Sequence, residues 1–224
     1  MADRDATSGI PERKFPPGKV KIMEALRHLL EQKEFASITT SELAQTAGVT
    51  EGLIYKYFKD KRDLLHAVLA DYVDFFINRM EDELQGVEGA LNKLRKVIRI
   101  HMAMYAHNRV FSRILLLEVR NHPDYFQSEA YETVTRYTSM LLEIIKEGMA
   151  EGSVRRDMPA SAVRQIILGG IEHTCLPNVL FHRSLDPLEA SERLCDMIFQ
   201  GITQSGPPRP QEMGMDPGRP IKGE

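Results

Sequence analysis

Histidine, cysteine and carboxylate side chains are the groups most able to bind a metal or carry out catalysis, and their spacing in this sequence favours neither. Glu118 and His122 stand four residues apart, which places two ligands on one helix face. Pro123 disfavours helical geometry at His122, however, so we interpret this residue as a helix-end histidine. His173 and Cys175 are two apart and face different sides of a helix. We also find no Gly-rich phosphate loop and no nucleophile elbow, so the sequence predicts no catalytic residue, no metal, no cofactor and no enzyme activity.

Residues 39–65 have the residue types and spacing expected of a nucleic-acid-binding motif. Residues 40–47 and 51–58 predict two short helices, which Gly48 joins through a tight turn. Thr50 caps the second helix. The inner face of that helix holds Leu53 or Ile54, together with Phe58. This pattern is typical of a helix-turn-helix, in which the second helix lies in the major groove of DNA.

The remaining positions of the second helix must face solvent, and they are Glu51, Gly52, Tyr55, Lys56 and Tyr57. Exposed tyrosines beside lysines supply hydroxyl donors and cations suited to a phosphate-lined groove. The small Gly52 permits a close approach to DNA. Lys61 begins the next helix, and we expect the first amides of that helix to hold a phosphate together with the Lys61 ammonium group.

The elements that position these residues are all helices. Apolar residues recur at spacings of three and four, with almost no alternating strand pattern. Breakers divide the chain into about nine predicted helices: residues 18–33, 40–47, 51–58, 61–85, 87–107, 109–121, 123–151, 160–181 and 187–203. Pro177 is expected to kink or break its helix. The predicted organisation is a disordered arm (1–15), a helix-turn-helix domain (16–65), a ligand-binding and dimerisation domain (66–204) and a disordered tail (205–224).

Composition bounds the classes of protein that are possible. The chain has 224 residues, of which 42% are hydrophobic, so it can bury a substantial core. The longest stretch without a charged residue that we find, residues 197–208, is too short to span a membrane. The first residues lack the apolar segment of a secretion signal, so we expect a cytoplasmic protein. Residues 1–65 hold 11 basic and 10 acidic side chains and the remainder 18 and 22, so DNA binding requires a local basic surface.

Residues 39–65 closely resemble the DNA-binding motif of the TetR family of transcriptional regulators. The matching positions are Ala44, Gly48-Val49, Ile54-Tyr55, Tyr57-Phe58 and Lys61, with Ile54 where the family usually has leucine. The resemblance extends over residues 18–65. It implies an all-α protein with an N-terminal three-helix domain and a C-terminal helical domain that binds a ligand and forms a homodimer. A helix-turn-helix reader needs that dimer to place two second helices in successive major grooves.

The resemblance also implies roles for individual residues in binding double-stranded operator DNA. Thr40 and Thr50 would donate to phosphates. Tyr55, Tyr57 and Lys61 would hold the DNA backbone. Glu51, Gly52, Leu53 and Lys56 would face base edges, and Thr39, at the start of the motif, completes the candidate set. The alternative is that these residues only cap helices and solvate a surface.

Three segments of the second domain, residues 111–121, 144–152 and 164–172, resemble TetR-like repressors of fatty-acid degradation that respond to long-chain acyl-CoA. Charged residues within apolar helices, with nearby aromatic side chains, are the candidate ligand contacts: Tyr105, Arg113, Glu118, Arg120, Tyr137, Glu172 and His173. For Arg113 and Glu118 the alternative is a solvated or salt-bridged role. The aromatic and methionine residues of this region have core packing as their alternative.

The last two predicted helices are the expected dimer interface. Small residues such as Gly169 and Gly170 permit close helix approach, and apolar residues on both helices would complete a four-helix bundle with the second copy. The apolar set is Ile166, Ile167, Ile171, Leu194, Ile198 and Phe199.

These observations predict a ligand-responsive regulator, most often a repressor in this family, that binds palindromic operator DNA as a dimer. A small hydrophobic effector, with acyl-CoA as the candidate, would release the DNA. The alternative function is a small-molecule or lipid carrier without DNA activity, for which the surface formed by Tyr55, Lys56 and Tyr57 would be dispensable.

Overall fold

The computed structural model describes residues 15–203, and within this range the chain forms nine α-helices. They are α1 (Pro17–Gln32), α2 (Thr40–Ala47), α3 (Glu51–Tyr57), α4 (Lys61–Leu84), α5 (Ala90–His107), α6 (Arg109–Arg113), α7 (Glu129–Glu151), α8 (Ala160–Phe181) and α9 (Pro187–Ile202). The predicted all-α fold class is confirmed. None of the described helices is long and apolar enough to cross a bilayer. The predicted arm, apart from Phe15, and the predicted tail (205–224) lie outside the described residues.

The first domain is a three-helix unit closed by the start of α4. Helix α1 packs on α2, α3 and α4. One apolar side chain from each helix is almost completely buried at the centre: Leu26, Leu43, Ile54 and Leu64. Helix α4 then continues without a break into the second domain, so the boundary predicted after residue 65 falls inside a helix. The two domains therefore share one rigid element.

The second domain is a bundle in which α5 is the central helix. Helix α5 packs along α4, α7, α8 and α9, and α4 also packs along α7. Buried positions of α5 recur at helical spacing, as in Leu94, Val97, Ile98 and Met102. The opposite side of α5 carries basic residues, and that asymmetry shapes the cleft described below.

The segment predicted as one helix over residues 109–121 consists of three consecutive helical pieces of different type. Helix α6 ends at Arg113, a π-helical turn covers Ile114–Glu118, and a 3₁₀ turn covers Val119–Asn121. The apolar periodicity of this segment predicted helix correctly but did not distinguish the type of turn. π-helical turns are rare in proteins, and those that occur are frequently found at functional sites. Each contains one residue more than an α-helical turn.

Two helix starts and the effect of one proline differ from the predictions for local reasons. The predicted helix 123–151 divides at Ser128, whose hydroxyl caps α7 by accepting from the Tyr131 amide at 3.3 Å. Helix α5 begins at Ala90 rather than residue 87, because Gly89 has a φ of 79°. Helix α8 continues through Pro177 to Phe181, so the proline does not end it.

Candidate functional site

The helix-turn-helix is formed by local capping chemistry. The Thr39 hydroxyl accepts a hydrogen bond from the Glu42 amide at 3.2 Å and caps α2. Gly48 ends α2 with a φ of 64°, the left-handed region that favours glycine. The Thr50 hydroxyl then accepts from the Leu53 amide at 3.3 Å and starts α3. The short turn between these caps sets the angle between the two helices.

Ile54, not Leu53, lies with Phe58 on the inner face of α3. Ile54 and Phe58 are each 2% exposed, whereas Leu53 is only half-buried. The Leu53 side chain packs against the start of α1, where a Cβ added to Gly18 would meet its Cδ2 atom at 3.1 Å. Leu53 therefore supports the junction between α1 and α3 as well as bordering the outer surface.

The outer face of α3 is open to solvent, as predicted. Glu51, Gly52, Tyr55 and Lys56 are exposed, and 56% of Tyr55 is accessible. The Tyr55 hydroxyl lies 3.5 Å from the Thr40 hydroxyl, so side chains of α2 and α3 meet on one surface. We call this the α3 surface, and it consists of Thr40, Thr50, Glu51, Gly52, Tyr55 and Lys56. Tyr57 is half-buried at its edge, beside Gly18.

Lys61 occupies a different position from these residues. Its ammonium group donates to the carbonyl oxygens of Ile38 at 2.6 Å and Phe35 at 2.9 Å, and it lies 4.5 Å from the centre of the Phe35 ring. Burial lowers the pKa of Lys61. The lysine thus ties the 3₁₀ turn Phe35–Ser37 to the first residue of α4, a contact across 23 or more residues that spacing alone did not reveal.

The phosphate site expected at the first turn of α4 is already filled by the protein itself. The Asp60 carboxylate accepts hydrogen bonds from the Arg62 amide at 2.8 Å and the Asp63 amide at 2.9 Å. An N-cap aspartate satisfies the same donors that a phosphate would use. These two amides already have a partner in the described structure, and Asp60 is the residue that the sequence interpretation overlooked. A phosphate contact at this helix start stays a prediction.

A cleft of about 770 Å³ opens in the second domain between α4 and α5, with the start of α9 at one side. Its volume is within the range of small-molecule sites. One end is lined mainly by aromatic and aliphatic side chains: Tyr72, Phe75, Phe76, Ile100, Met104 and Leu188. The other end carries Arg79, Arg95, Lys96 and Arg99. We call it the α4–α5 cleft.

The four cations of the α4–α5 cleft differ in their partners. Lys96 pairs with Glu83 at 2.9 Å, and Arg95 lies 3.8 Å from Asp196 and 5.1 Å from the centre of the Phe199 ring. Neither Arg79 nor Arg99 forms an ion pair with any residue of the described range. The Lys96 hydrogen bond is the first cause of the lowered pKa of Glu83, and the Arg79 and Arg99 charges add to it, so the two guanidinium groups lie near this carboxylate without pairing with it directly.

The predicted ligand residues do not line the α4–α5 cleft, although the structure brings several of them together. The Tyr137 hydroxyl and His101 Nδ1 are hydrogen-bonded at 2.7 Å, and Tyr105 packs against the same imidazole ring. Arg120 forms a two-point ion pair with Glu172, at 2.7 and 3.1 Å. Tyr105 is buried close enough to Glu172 and Arg120 for both to affect its pKa.

His101, Tyr105 and Tyr137 are buried and lie behind the cleft, whereas the Arg120–Glu172 ion pair is partly exposed. Phe76 lines the cleft, and its ring lies 5.6 Å from His101 and 5.5 Å from Tyr137. Burial lowers the pKa of His101 to about 3, so the ring is neutral at pH 7. The sequence singled out Tyr105 and Tyr137, but it did not show that both are buried behind the cleft instead of lining it.

The other predicted ligand residues lie elsewhere. Arg113 pairs with Glu34 of the first domain at 2.6 Å. Glu118 lies near Glu34 as well, and burial is the first cause of its raised pKa, followed by the Glu34 charge. His173 is exposed on α8. Arg113 therefore takes the salt-bridged role that was left open as an alternative.

The outer surface of α8 and α9 divides the predicted interface residues into two groups. Ile167 and Ile171 are fully buried within the subunit, and Leu194, Ile198 and Phe199 are at most 8% exposed. Ile166 remains 48% exposed, and Met197 of α9, which was not among the predicted residues, is 67% exposed. A Cβ added to Gly170 would meet Leu194 of the same subunit at 3.0 Å, whereas one added to Gly169 would meet nothing within 4 Å.

A three-helix domain with an exposed second motif helix, joined through a shared helix to an all-helical second domain, defines a helix-turn-helix DNA-binding regulator. Comparison with family models agrees for both parts. Residues 22–68 match the model for bacterial regulatory proteins of the tetR family, and residues 69–201 match the model for the C-terminal region of YsiA-like proteins. The chain belongs to the TetR family of transcriptional regulators, as the motif predicted.

Known relatives point to the fatty-acid subgroup. The chain is 27% identical over 186 residues to the fatty acid metabolism regulator protein of Bacillus subtilis, covering 83% of this chain and 96% of that one. It is 24% identical over 189 residues to the HTH-type transcriptional repressor KstR2 of Mycolicibacterium smegmatis, covering 83% and 90%. The crystal structure of Bacillus subtilis FadR in complex with stearoyl-CoA superposes with a TM-score of 0.74 at 27% identity, covering 82% of this chain and 98% of that one. The homology to FadR regulators confirms the subgroup that the second domain predicted.

Proposed function

We propose that this protein is a repressor that binds palindromic operator DNA as a homodimer and leaves it when an acyl-CoA enters the α4–α5 cleft. The observation that carries the effector part is the polarity of the cleft, which joins an apolar end to an end with two unpaired guanidinium groups. A long-chain acyl-CoA has the matching pattern, with an apolar chain at one end and phosphates at the other. The relative FadR, crystallised with stearoyl-CoA, supports this ligand class.

The DNA-binding part of the proposal rests on the α3 surface. Thr40, Thr50 and Tyr55 supply hydroxyl groups for phosphates, with Tyr57 at the edge. Lys56, Glu51 and Gly52 lie where the second motif helix meets base edges. Lys61 supports this surface from beneath through its bonds to the Phe35 and Ile38 carbonyls. A regulator that acts on DNA in this way would work in the cytoplasm of a bacterium.

Acyl-CoAs of increasing chain length test the effector. Each additional buried methylene contributes about 0.8 kcal/mol, so affinity should rise about fourfold per carbon until the apolar end is full. In isothermal calorimetry, Arg79→Gln and Arg99→Gln should each weaken binding by about tenfold through loss of a charge-assisted bond to phosphate. Lys146→Gln on the exposed side of α7 is the matched control and should bind as the wild type does. Absence of binding at every length would contradict the effector proposal alone.

Operator binding separates the regulator from the lipid carrier. Selection of DNA fragments by the purified protein should yield a palindrome, and saturating stearoyl-CoA should release it. Lys56→Ala should abolish selection while leaving acyl-CoA affinity unchanged, since Lys56 is exposed on α3 and does not line the cleft. A protein that binds acyl-CoA but selects no DNA would be the carrier.

A further inference from the structure

The segment from α6 to the 3₁₀ turn Pro123–Gln127 connects the α4–α5 cleft with the DNA-binding domain. At its first end, the Phe111 ring stacks on Tyr72 of the cleft, with centres 4.8 Å apart and planes 17° from parallel. At its second end, Arg62 at the start of α4 donates to His122 Nδ1 at 2.7 Å. The π-turn Ile114–Glu118 lies between these contacts.

The ion pair of Arg113 with Glu34 is a second polar contact of this segment with the DNA-binding domain. Arg113 Nη1 lies 2.6 Å from Glu34 Oε1, across 79 residues of sequence, and both side chains are partly exposed. Exposed ion pairs contribute little to stability, about 0–1 kcal/mol. The position of the Arg113–Glu34 ion pair matters more than its strength. Glu34 belongs to the connection between α1 and the turn Phe35–Ser37, and Lys61 binds that turn.

We propose that the Arg113–Glu34 ion pair positions the DNA-binding domain and transmits occupancy of the α4–α5 cleft to it. A ligand against Tyr72 displaces the stacked Phe111 ring and the helix that carries it. Helix α6 has only five residues and runs directly into the π-turn, whose extra residue allows a change of register without loss of the helical backbone bonds. The Arg113 side chain then moves relative to Glu34, and the domain orientation follows. This inference rests on the proposed effector site.

Charge exchange tests the pair directly. The coupling is the ratio of operator dissociation constants with and without saturating stearoyl-CoA, and such ratios are typically about 5 to 150. Glu34→Arg should reduce this ratio by about fivefold or more, and the double variant Glu34→Arg with Arg113→Glu should restore it. The matched control is Glu143→Arg, which breaks an exposed ion pair with Lys146 inside α7 and should leave the ratio unchanged.

The affinity for stearoyl-CoA, measured by calorimetry without DNA, should be the same in all four proteins, since neither Glu34 nor Arg113 lines the cleft. An unchanged ratio in Glu34→Arg, or a double variant that stays as uncoupled as the single one, would overturn the proposal. If the wild type binds no stearoyl-CoA, the effector proposal fails separately. In that case the operator affinity without effector tests whether the Arg113–Glu34 ion pair positions the DNA-binding domain. A change of about threefold or more in Glu34→Arg that the double variant reverses supports this role, and equal affinities in the three proteins refute it.

Discussion

Individual side chains in this protein take roles that depend on what surrounds them. His101 is an example, because it is a titratable side chain that is only 4% exposed and its charge depends on that burial. Burial, and after it the Arg120 charge, lower the pKa of His101 and hold its ring neutral behind the cleft. The cysteines behave similarly, since burial raises the pKa of Cys175 to about 12 and that of Cys195 to about 11. Both thiols therefore remain protonated at neutral pH.

The low pKa of His101 predicts the pH dependence of stability. In the unfolded chain a histidine titrates near pH 6.5, whereas His101 in the folded protein stays neutral down to about pH 3. Between these values the unfolded state binds more protons, so the free energy of unfolding falls as pH falls from 6.5 towards 3. Above pH 6.5 the residue has no such effect.

His101→Gln removes the titration while keeping an acceptor for Tyr137. Urea unfolding between pH 4 and pH 6 should show a smaller dependence on pH than the wild type, by up to about 1.4 kcal/mol per pH unit. His66, whose pKa burial also lowers, remains in both proteins and cancels in the comparison. Identical pH profiles would contradict this prediction, because they would mean that His101 binds its proton as readily in the folded state as in the unfolded chain.

At the scale of elements, some helices and turns are stabilised by local contacts and others by residues distant in sequence. Helices α2 and α3 are set by their own caps and by Gly48. The turn Phe35–Ser37 has no side-chain cap of its own, and Lys61 from α4 satisfies its carbonyl oxygens. The angle at which α1 meets α4 is reinforced by an ion pair of Arg27 with the buried Asp71. The surface offered to DNA therefore depends on contacts that lie behind it.

Lys61→Met tests whether this lysine supports the fold or binds DNA. Loss of charged hydrogen bonds to the Phe35 and Ile38 carbonyls should lower the free energy of unfolding by about 1–3 kcal/mol. The slope of log affinity against log salt should stay as in the wild type, because no phosphate contact is removed. Lys56→Met is the matched control, and it should reduce that slope by about 1 without loss of stability. A reduced slope with unchanged stability in Lys61→Met would instead assign it the phosphate contact that the family resemblance implies.

For the whole molecule, the exposed surface of α8 and α9 is the proposed site of dimerisation. The residues that remain accessible there include Ile166, Gly169 and Met197. Gly170, in contrast, serves packing of α8 on α9 within one subunit. Two α3 helices must lie about 34 Å apart to enter successive major grooves, so operator binding depends on this contact.

Ile166→Glu should separate the dimer by placing an unpaired carboxylate in an apolar contact. The expected cost is about 3 kcal/mol or more, which is a factor of about 100 in the dimer dissociation constant. Analytical ultracentrifugation should show monomers, and operator affinity should fall because the dimer is lost. Phe126→Glu is the matched control, because Phe126 is 52% exposed but lies outside α8 and α9. Monomers in the control, or an intact Ile166→Glu dimer, would place the interface elsewhere.

The sequence by itself determined the helix-turn-helix, the all-helical class and the family. These features depend on residues close together along the chain: Thr39, Gly48 and Thr50 act on amides and carbonyls within a few positions, and apolar spacing marks the buried faces. Such short-range signals can be read without knowing the path of the chain. For the same reason α2 begins and ends where it was predicted.

Only the tertiary structure decided where the cleft opens and which charges remain unpaired. Arg113 meets Glu34 across 79 residues and Arg120 meets Glu172 across 52, and no local pattern encodes either partner. Arg79 of α4 and Arg99 of α5 lie in the same cleft only because the two helices pack side by side. A charge is available to a ligand only if the fold gives it no partner, and the packing of distant helices decides that.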